Sequence, residues 1–173
     1  VTRRVLAATL AATYVGTIVA ANWLVQHLGA VPVGLGLLAP AGVYMTGLAF
    51  TLRDLLHEVA GRWAVLVAIL TGAVLSALIA PPAIALASAV AFGTSELADM
   101  AVYTPLRERR RLTAVAVSNL VGLTVDSALF LRLAFGSLQF LPGQIVGKAW
   151  MTALAVIVLA GSRAALRARR AEA

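Results

Sequence analysis

The chain is predicted to be an all-α integral membrane protein, one domain (1–173) built as a six-transmembrane-helix bundle. Three observations predict this. Hydrophobic residues make up 61% of the 173 residues and charged ones 12%, about half the charged share of a soluble domain, and mean hydropathy is +0.94. Six apolar segments stand out, at about 5–26, 34–53, 63–80, 83–103, 112–135 and 142–161, each near the ~20 residues that a spanning helix needs. The arginines, finally, fall in alternate connections. Arg3 and Arg4 precede the first segment, Arg53 and Arg62 flank the second connection, Arg107, Arg109, Arg110 and Arg111 fill the fourth, and Arg163, Arg167, Arg169 and Arg170 follow the last. The connections at 29–33, 81–82 and 136–141 hold no Lys or Arg. With six spans all these arginines lie on one side, so the positive-inside rule puts both termini in the cytoplasm.

The same features exclude other classes. There is no cysteine, hence no disulfide framework, thiolate nucleophile or Cys-based metal site. A net charge of +7 in a soluble protein would suggest nucleic acid; in short blocks between apolar runs it is a topology signal, and the expected partner is the lipid bilayer.

Taken in order, the first segment follows Thr2-Arg-Arg-Val-Leu6, which is similar to a twin-arginine export signal. The apolar run continues to Gln26 without a cleavage site, so it reads as the first span. Asn22 and Gln26 (i, i+4) sit at its outer end. The second segment ends in Arg53-Asp-Leu-Leu-His-Glu58. Arg53 with His57 and Asp54 with Glu58 stand at i, i+4, so this turn is expected to pair its own charges in a structural or gating role. His57-Glu58 lacks the second histidine of a zinc protease helix, and His27 falls on the opposite side. No metal site is expected. In the fourth segment Ser88, Phe92, Ser95, Glu96, Asp99 and Tyr103 recur at three- and four-residue steps, which puts two carboxylates on one helix face.

The fifth segment places Asp126 ~21 Å from its start in a hydrocarbon core ~30 Å thick. A carboxylate there costs about 2.5–3.5 kcal/mol unless it faces protein, water or a ligand. Ser118, Asn119, Gly122 and Asp126 share its face. Lys148, about six residues into the sixth segment, reaches a similar depth from the other side. It either pairs with Asp126 or snorkels to the surface. Gly143-Gln-Ile-Val-Gly-Lys148 is one residue short of a phosphate-binding loop and lacks the following Ser/Thr. No nucleophile–base or metal constellation stands out, so the chain is expected not to be an enzyme and to need no cofactor. Polar groups on five of six spans point instead to a wet cavity for a small, flat, hydrogen-bonding solute.

Ala21-Asn-Trp-Leu-Val25, the Asp54 turn, Ala98-Asp-Met-Ala-Val-Tyr103, Gly122-Leu-Thr-Val-Asp-Ser127 and Gly147-Lys148, in this order, resemble the VUT family of queuosine-precursor transporters. That family is related in fold to the S components of energy-coupling-factor transporters. The resemblance implies an S-component-like bundle in the bacterial cytoplasmic (inner) membrane that takes up 7-cyano- or 7-aminomethyl-7-deazaguanine as a small secondary transporter. The family's polar positions map onto Asn22, Asp54, Asp99, Asp126 and Lys148. On this reading Asp126, with Glu96 or Asp99 and with Asn119 on the same face, accepts the N–H groups of a guanine-like edge, while Asn22 and Lys148 line the entrance. The alternative is an S component that needs energy-coupling-factor subunits, with Ala8-x-x-x-Ala12 as a docking face.

Overall fold

A computed structural model describes residues 2–106 and 111–171. The basic stretch 107–110 and the side chains of Arg111, Arg163, Arg167, Arg169 and Arg170 lie outside the described residues. The chain runs as α1 (Arg3–Leu28), β1 (Ala30–Gly34), β2 (Leu37–Pro40), α2 (Val43–Ala60), α3 (Arg62–Ile79), α4 (Pro82–Leu106), α5 (Arg111–Phe135) and α6 (Leu141–Ala171). From α2 onward the connections between helices are short, so successive helices there run antiparallel. Gly61, with φ +81°, joins α2 to α3, and Pro82 opens α4 at a first-turn position where its missing N–H costs nothing.

The helices are inside-out relative to a soluble bundle. Leu66, Val67, Leu70, Val74 and Leu78 of α3 are exposed, as are Leu86, Val90, Leu97 and Met100 of α4, whereas Asn22, Arg53, Asp126, Gln144 and Lys148 are buried. That inversion fits a multi-pass membrane protein, whose outer surface meets lipid. Among the described residues four helical stretches are long and apolar enough to cross a membrane: Arg3–Leu28, Arg62–Ile79, Pro82–Leu106 and Val117–Phe135.

The second predicted segment needs correction. Residues 34–53 are not one helix: β1 and β2 form an antiparallel hairpin, pairing Ala30 with Pro40 and Val31 with Ala39, and the helix that follows is 43–60. The reason lies in the backbone. Gly34, Leu35 and Gly36 all adopt positive φ (93°, 54° and 70°) at the hairpin tip, a conformation that glycine adopts without steric cost and a helix cannot contain. Pro32 and Pro40 further exclude an internal helical hydrogen-bond ladder. The fold is therefore helical with one two-stranded insertion. The hairpin lies against the start of α2 and against α6, Val33 and Ala39 clustering with Val43 and Val146, and Gly143 permits that approach, because a Cβ there would overlap the Leu38 carbonyl. On α3, Gly72 admits Ile18 of α1 in the same way.

Candidate functional site

Two cavities stand out among the described residues. The first, a narrow one of ≈ 50 Å³, is lined by α1 to α6 and includes Thr17, Asn22, Thr46, Ser88, Asp126, Gln144 and Lys148. The second, of ≈ 400 Å³, is lined by α2, α4, α5 and α6 and includes Arg53, Asp54, Glu96, Asp99, Asn119 and Thr152.

In the first, α5 and α6 are antiparallel neighbours, so a residue nine positions from the end of one meets a residue seven from the start of the other. This brings Asp126 and Lys148 together. The Lys148 Nζ donates to Asp126 Oδ2 at 2.5 Å and to Ser127 Oγ at 2.8 Å, and the lysine is 1% exposed. Ser127 in turn donates to the Leu123 carbonyl at 2.7 Å, which fixes its hydroxyl. The lysine thus does not snorkel: its charge is compensated inside the bundle, which is the arrangement that makes a buried ion tolerable. Gly47 of α2 lets α6 come close at this level, since a Cβ there would lie 2.7 Å from Met151 Cβ and 3.1 Å from the Lys148 backbone.

Beside the ion pair, Asn22 and Gln144 are buried, at 2% and 3% exposure. The Asn22 Nδ2 and the Gln144 Oε1 have no hydrogen-bond partner. A buried polar atom left without a partner costs about 1–3 kcal/mol. Here a donor and an acceptor carry that cost in the wall of one cavity, which is the chemistry of a site that binds a polar solute. Gln144 is absent from the sequence-based candidates. Its signal is present, because it stands four residues before Lys148 and so on the same helix face, but the glycines and the lysine around it draw the reading of 143–148.

The second cavity holds the other charges. Arg53, 8% exposed, donates through Nε to Asp54 Oδ1 at 2.9 Å and through its guanidinium to Glu96 of α4. Within the turn Arg53 pairs with Asp54, and it also reaches across to Glu96 of α4, while His57 and Glu58 are exposed and line neither cavity. The cross-bundle carboxylate is a fitting partner because it is an anion that accepts charge-assisted hydrogen bonds from the guanidinium, which a neutral or cationic imidazole does not offer. Asp99 Oδ1 is enclosed without a partner, and Gly122 leaves room for it, with a hypothetical Cβ 3.3 Å from Asp99 Cβ.

Of the sequence-based candidates, then, Asn22, Asp126 and Lys148 line one cavity and Glu96, Asp99 and Asn119 the other, with Arg53 and Asp54. Asp126 does not share a cavity with Glu96 or Asp99. Among the described residues no group of three or more His, Cys, Asp or Glu side chains is placed to hold a metal ion.

Neither the curated proteins nor the solved structures hold a significant match to the chain. Residues 76–161, covering α4, α5 and most of α6 with both members of the buried ion pair, match the family described as "Putative vitamin uptake transporter". The chain belongs to the VUT family of vitamin uptake transporters.

Proposed function

We propose that the protein takes up a queuosine precursor, 7-cyano- or 7-aminomethyl-7-deazaguanine or a related base, across the cytoplasmic membrane as a small secondary transporter. In this reading all six helices span, with both termini cytoplasmic, and the first cavity binds the cargo. The observation that carries the reading is the pair of stranded amide atoms, Asn22 Nδ2 and Gln144 Oε1, beside the buried Lys148–Asp126 pair. A guanine-like edge carries both N–H donors and a carbonyl acceptor. Gln144 supplies an acceptor for the former, Asn22 a donor for the latter, and Asp126 a carboxylate that strengthens the contact to N–H. The apolar walls, Ile18, Val25, Ile69, Phe92 and Phe130 among them, suit the flat faces of a base. The second cavity, with Glu96, Asp99 and Asn119, is reached from the same helices.

The test is binding and uptake by the purified chain in liposomes, with a panel of deazapurines and vitamins. Deazapurines are expected to bind. Asn22→Ala and Gln144→Ala are each expected to weaken binding about 10- to 100-fold, the worth of one buried hydrogen bond whose partner is left unpaired. Asp126→Asn is expected to abolish uptake while membrane insertion is kept; normal uptake by that variant overturns the assignment.

The S-component reading differs in one respect, the need for partner subunits. Ala8 and Ala12 are exposed on one face of α1, as a docking surface requires. Accumulation by the chain alone in liposomes excludes it, whereas tight binding without accumulation favours it.

A further inference from the structure

Four helices line both cavities, and on each the two stretches follow one another along the helix. They are residues 43–49 and then 50–54 on α2, 85–92 and then 95–99 on α4, 126–130 and then 119–123 on α5, and 144–148 and then 149–153 on α6. The cavities are therefore stacked along the bundle axis. What separates them is an aromatic layer. Phe50 lines the second cavity and Phe92 the first, and their rings stack with centroids 5.7 Å apart. Phe50 also has a cation from each compartment against its ring: Lys148 Nζ at 5.8 Å and Arg53 Cζ at 5.6 Å. Tyr14 completes the layer, its ring 6.4 Å from that of Phe92.

We propose that the second cavity is the next compartment of one route, a transit site for the hydrogen-bonding solute held in the first, and that Phe50 with Phe92 is the gate between them. This rests on the uptake reading above. Three features carry it. Phe50 is the bridging ring, since it borders the second cavity, stacks on Phe92 of the first and carries a cation from each side, so displacing its side chain is the step that joins the compartments. Each cation on the Phe50 ring is tied to a carboxylate of its own compartment, Lys148 to Asp126 and Arg53 to Glu96. A solute that engages either carboxylate therefore loosens that cation and one side of the ring's support. Polar atoms are also stranded along the path. The Tyr14 hydroxyl is fully buried in the layer without a partner, and Asp99 Oδ1 is enclosed without one beyond it. Each is satisfied when water or an N–H-bearing solute passes it.

The chain has no cysteine, so single thiols report each compartment: Ser88→Cys the first and Thr152→Cys the second. A membrane-impermeant maleimide is applied to right-side-out and to inverted vesicles. With Phe50 in place, Ser88→Cys is expected to react from one face and Thr152→Cys from the opposite face alone. In the Phe50→Ala background each thiol is expected to react from both faces. The far-face rate should rise about tenfold or more, a factor equivalent to ~1.4 kcal/mol of barrier. Phe50→Trp should keep the sidedness of the parent. Should Phe50→Ala fail to insert, Phe50→Leu provides the smaller side chain. Labelling of both thiols from the same face in the parent overturns the proposal. So does a Thr152→Cys that reacts from neither face, or unchanged sidedness after Phe50 is shortened. No cargo enters this measurement, so a wrong cargo leaves it intact. A failed gate likewise leaves the binding results for Asn22 and Gln144 standing.

Discussion

Two ion pairs, Lys148–Asp126 between α6 and α5 and Arg53–Glu96 between α2 and α4, sit on either side of the Phe50–Phe92 layer, and burial makes them different objects. In the Lys148–Asp126 pair the side chains are 1% and 6% exposed. In the Arg53–Glu96 pair they are 10% and 29% exposed, and the second partner of Arg53, Asp54, is 57% exposed. The first pair is one donor on one carboxylate with a serine in support. The second is a guanidinium shared between two carboxylates, either of which can leave it paired. A sealed pair fixes the geometry of a binding wall, because neither charge can exist there alone. A shared, wetter pair can exchange partners, which is what a compartment on a route requires.

The largest effects are expected where the comparison is sharpest. Lys148→Ala or Asp126→Ala leaves the opposite charge buried and should cost about 3–5 kcal/mol of stability. This is measurable as a fall in the thermal unfolding midpoint of the purified protein. The double variant Lys148→Met/Asp126→Leu removes both charges and is expected to recover most of that loss, since apolar replacement of a buried pair is often close to neutral. It should recover no uptake. If the single variants are as stable as the parent, the first pair is as wet as the second and the distinction fails.

Backbone approach gives the next largest difference. At the level of Lys148, α2 and α6 meet through Gly47 with no room for a Cβ, so Gly47→Ala is expected to cost about 1–3 kcal/mol through overpacking. Gly122 in the second cavity has more room, its nearest neighbours being Asp99 Cβ at 3.3 Å and the Ser95 carbonyl at 3.5 Å, and Gly122→Ala should cost well under half as much. Equal costs in the same unfolding assay would place the tight helix contact elsewhere.

The aromatic layer between the two regions predicts a gain. Tyr14→Phe keeps the ring against Phe92 and removes a buried hydroxyl that has no partner. It is expected to raise stability by about 1 kcal/mol, the lower end of the penalty for an unsatisfied buried group. The closed layer is the state that benefits, so uptake by Tyr14→Phe should be slower than by the parent even as its unfolding midpoint rises.

How much of this was legible in the sequence depends on the kind of contact. The Asp126–Lys148 pair was accessible because both residues lie inside apolar runs, at matching depth on antiparallel neighbours, and depth follows from rise per residue alone. The Arg53–Glu96 pair was not. Sequence spacing offers Arg53 the charges of its own turn, and nothing local says that α4 delivers a carboxylate to the same place. The hairpin at 30–40 carried a signal that hydropathy overrode. Its apolar count suits a span, but Gly34-Leu-Gly36 between Pro32 and Pro40 suits a turn, and backbone geometry prevails over apolar content. Gln144 was hidden by a competing motif. The split of the acidic residues between two cavities depends on where Phe50 and Phe92 meet, and no helical periodicity reports a contact between helices.

The smallest predicted effect separates the two carboxylates of the second cavity. Arg53 is held by Asp54 through its Nε and a terminal nitrogen and by Glu96 through the other terminal nitrogen. Glu96→Gln keeps a side-chain oxygen for the guanidinium and leaves Asp54 in place to balance its charge. Because the pair is partly exposed, the loss is expected to be about 1 kcal/mol or less. Asp54→Asn removes the more exposed charge and should cost less still, within about 0.5 kcal/mol. Stability is thus expected to hardly register either change, whereas transport should rank them in the same order. Glu96 joins α2 to α4 beneath the aromatic layer and Asp54 only braces Arg53 from its own helix, so Glu96→Gln should change the uptake rate more than Asp54→Asn. The opposite order would make Asp54 the residue that meets the solute, and Glu96 a mere tether for the arginine.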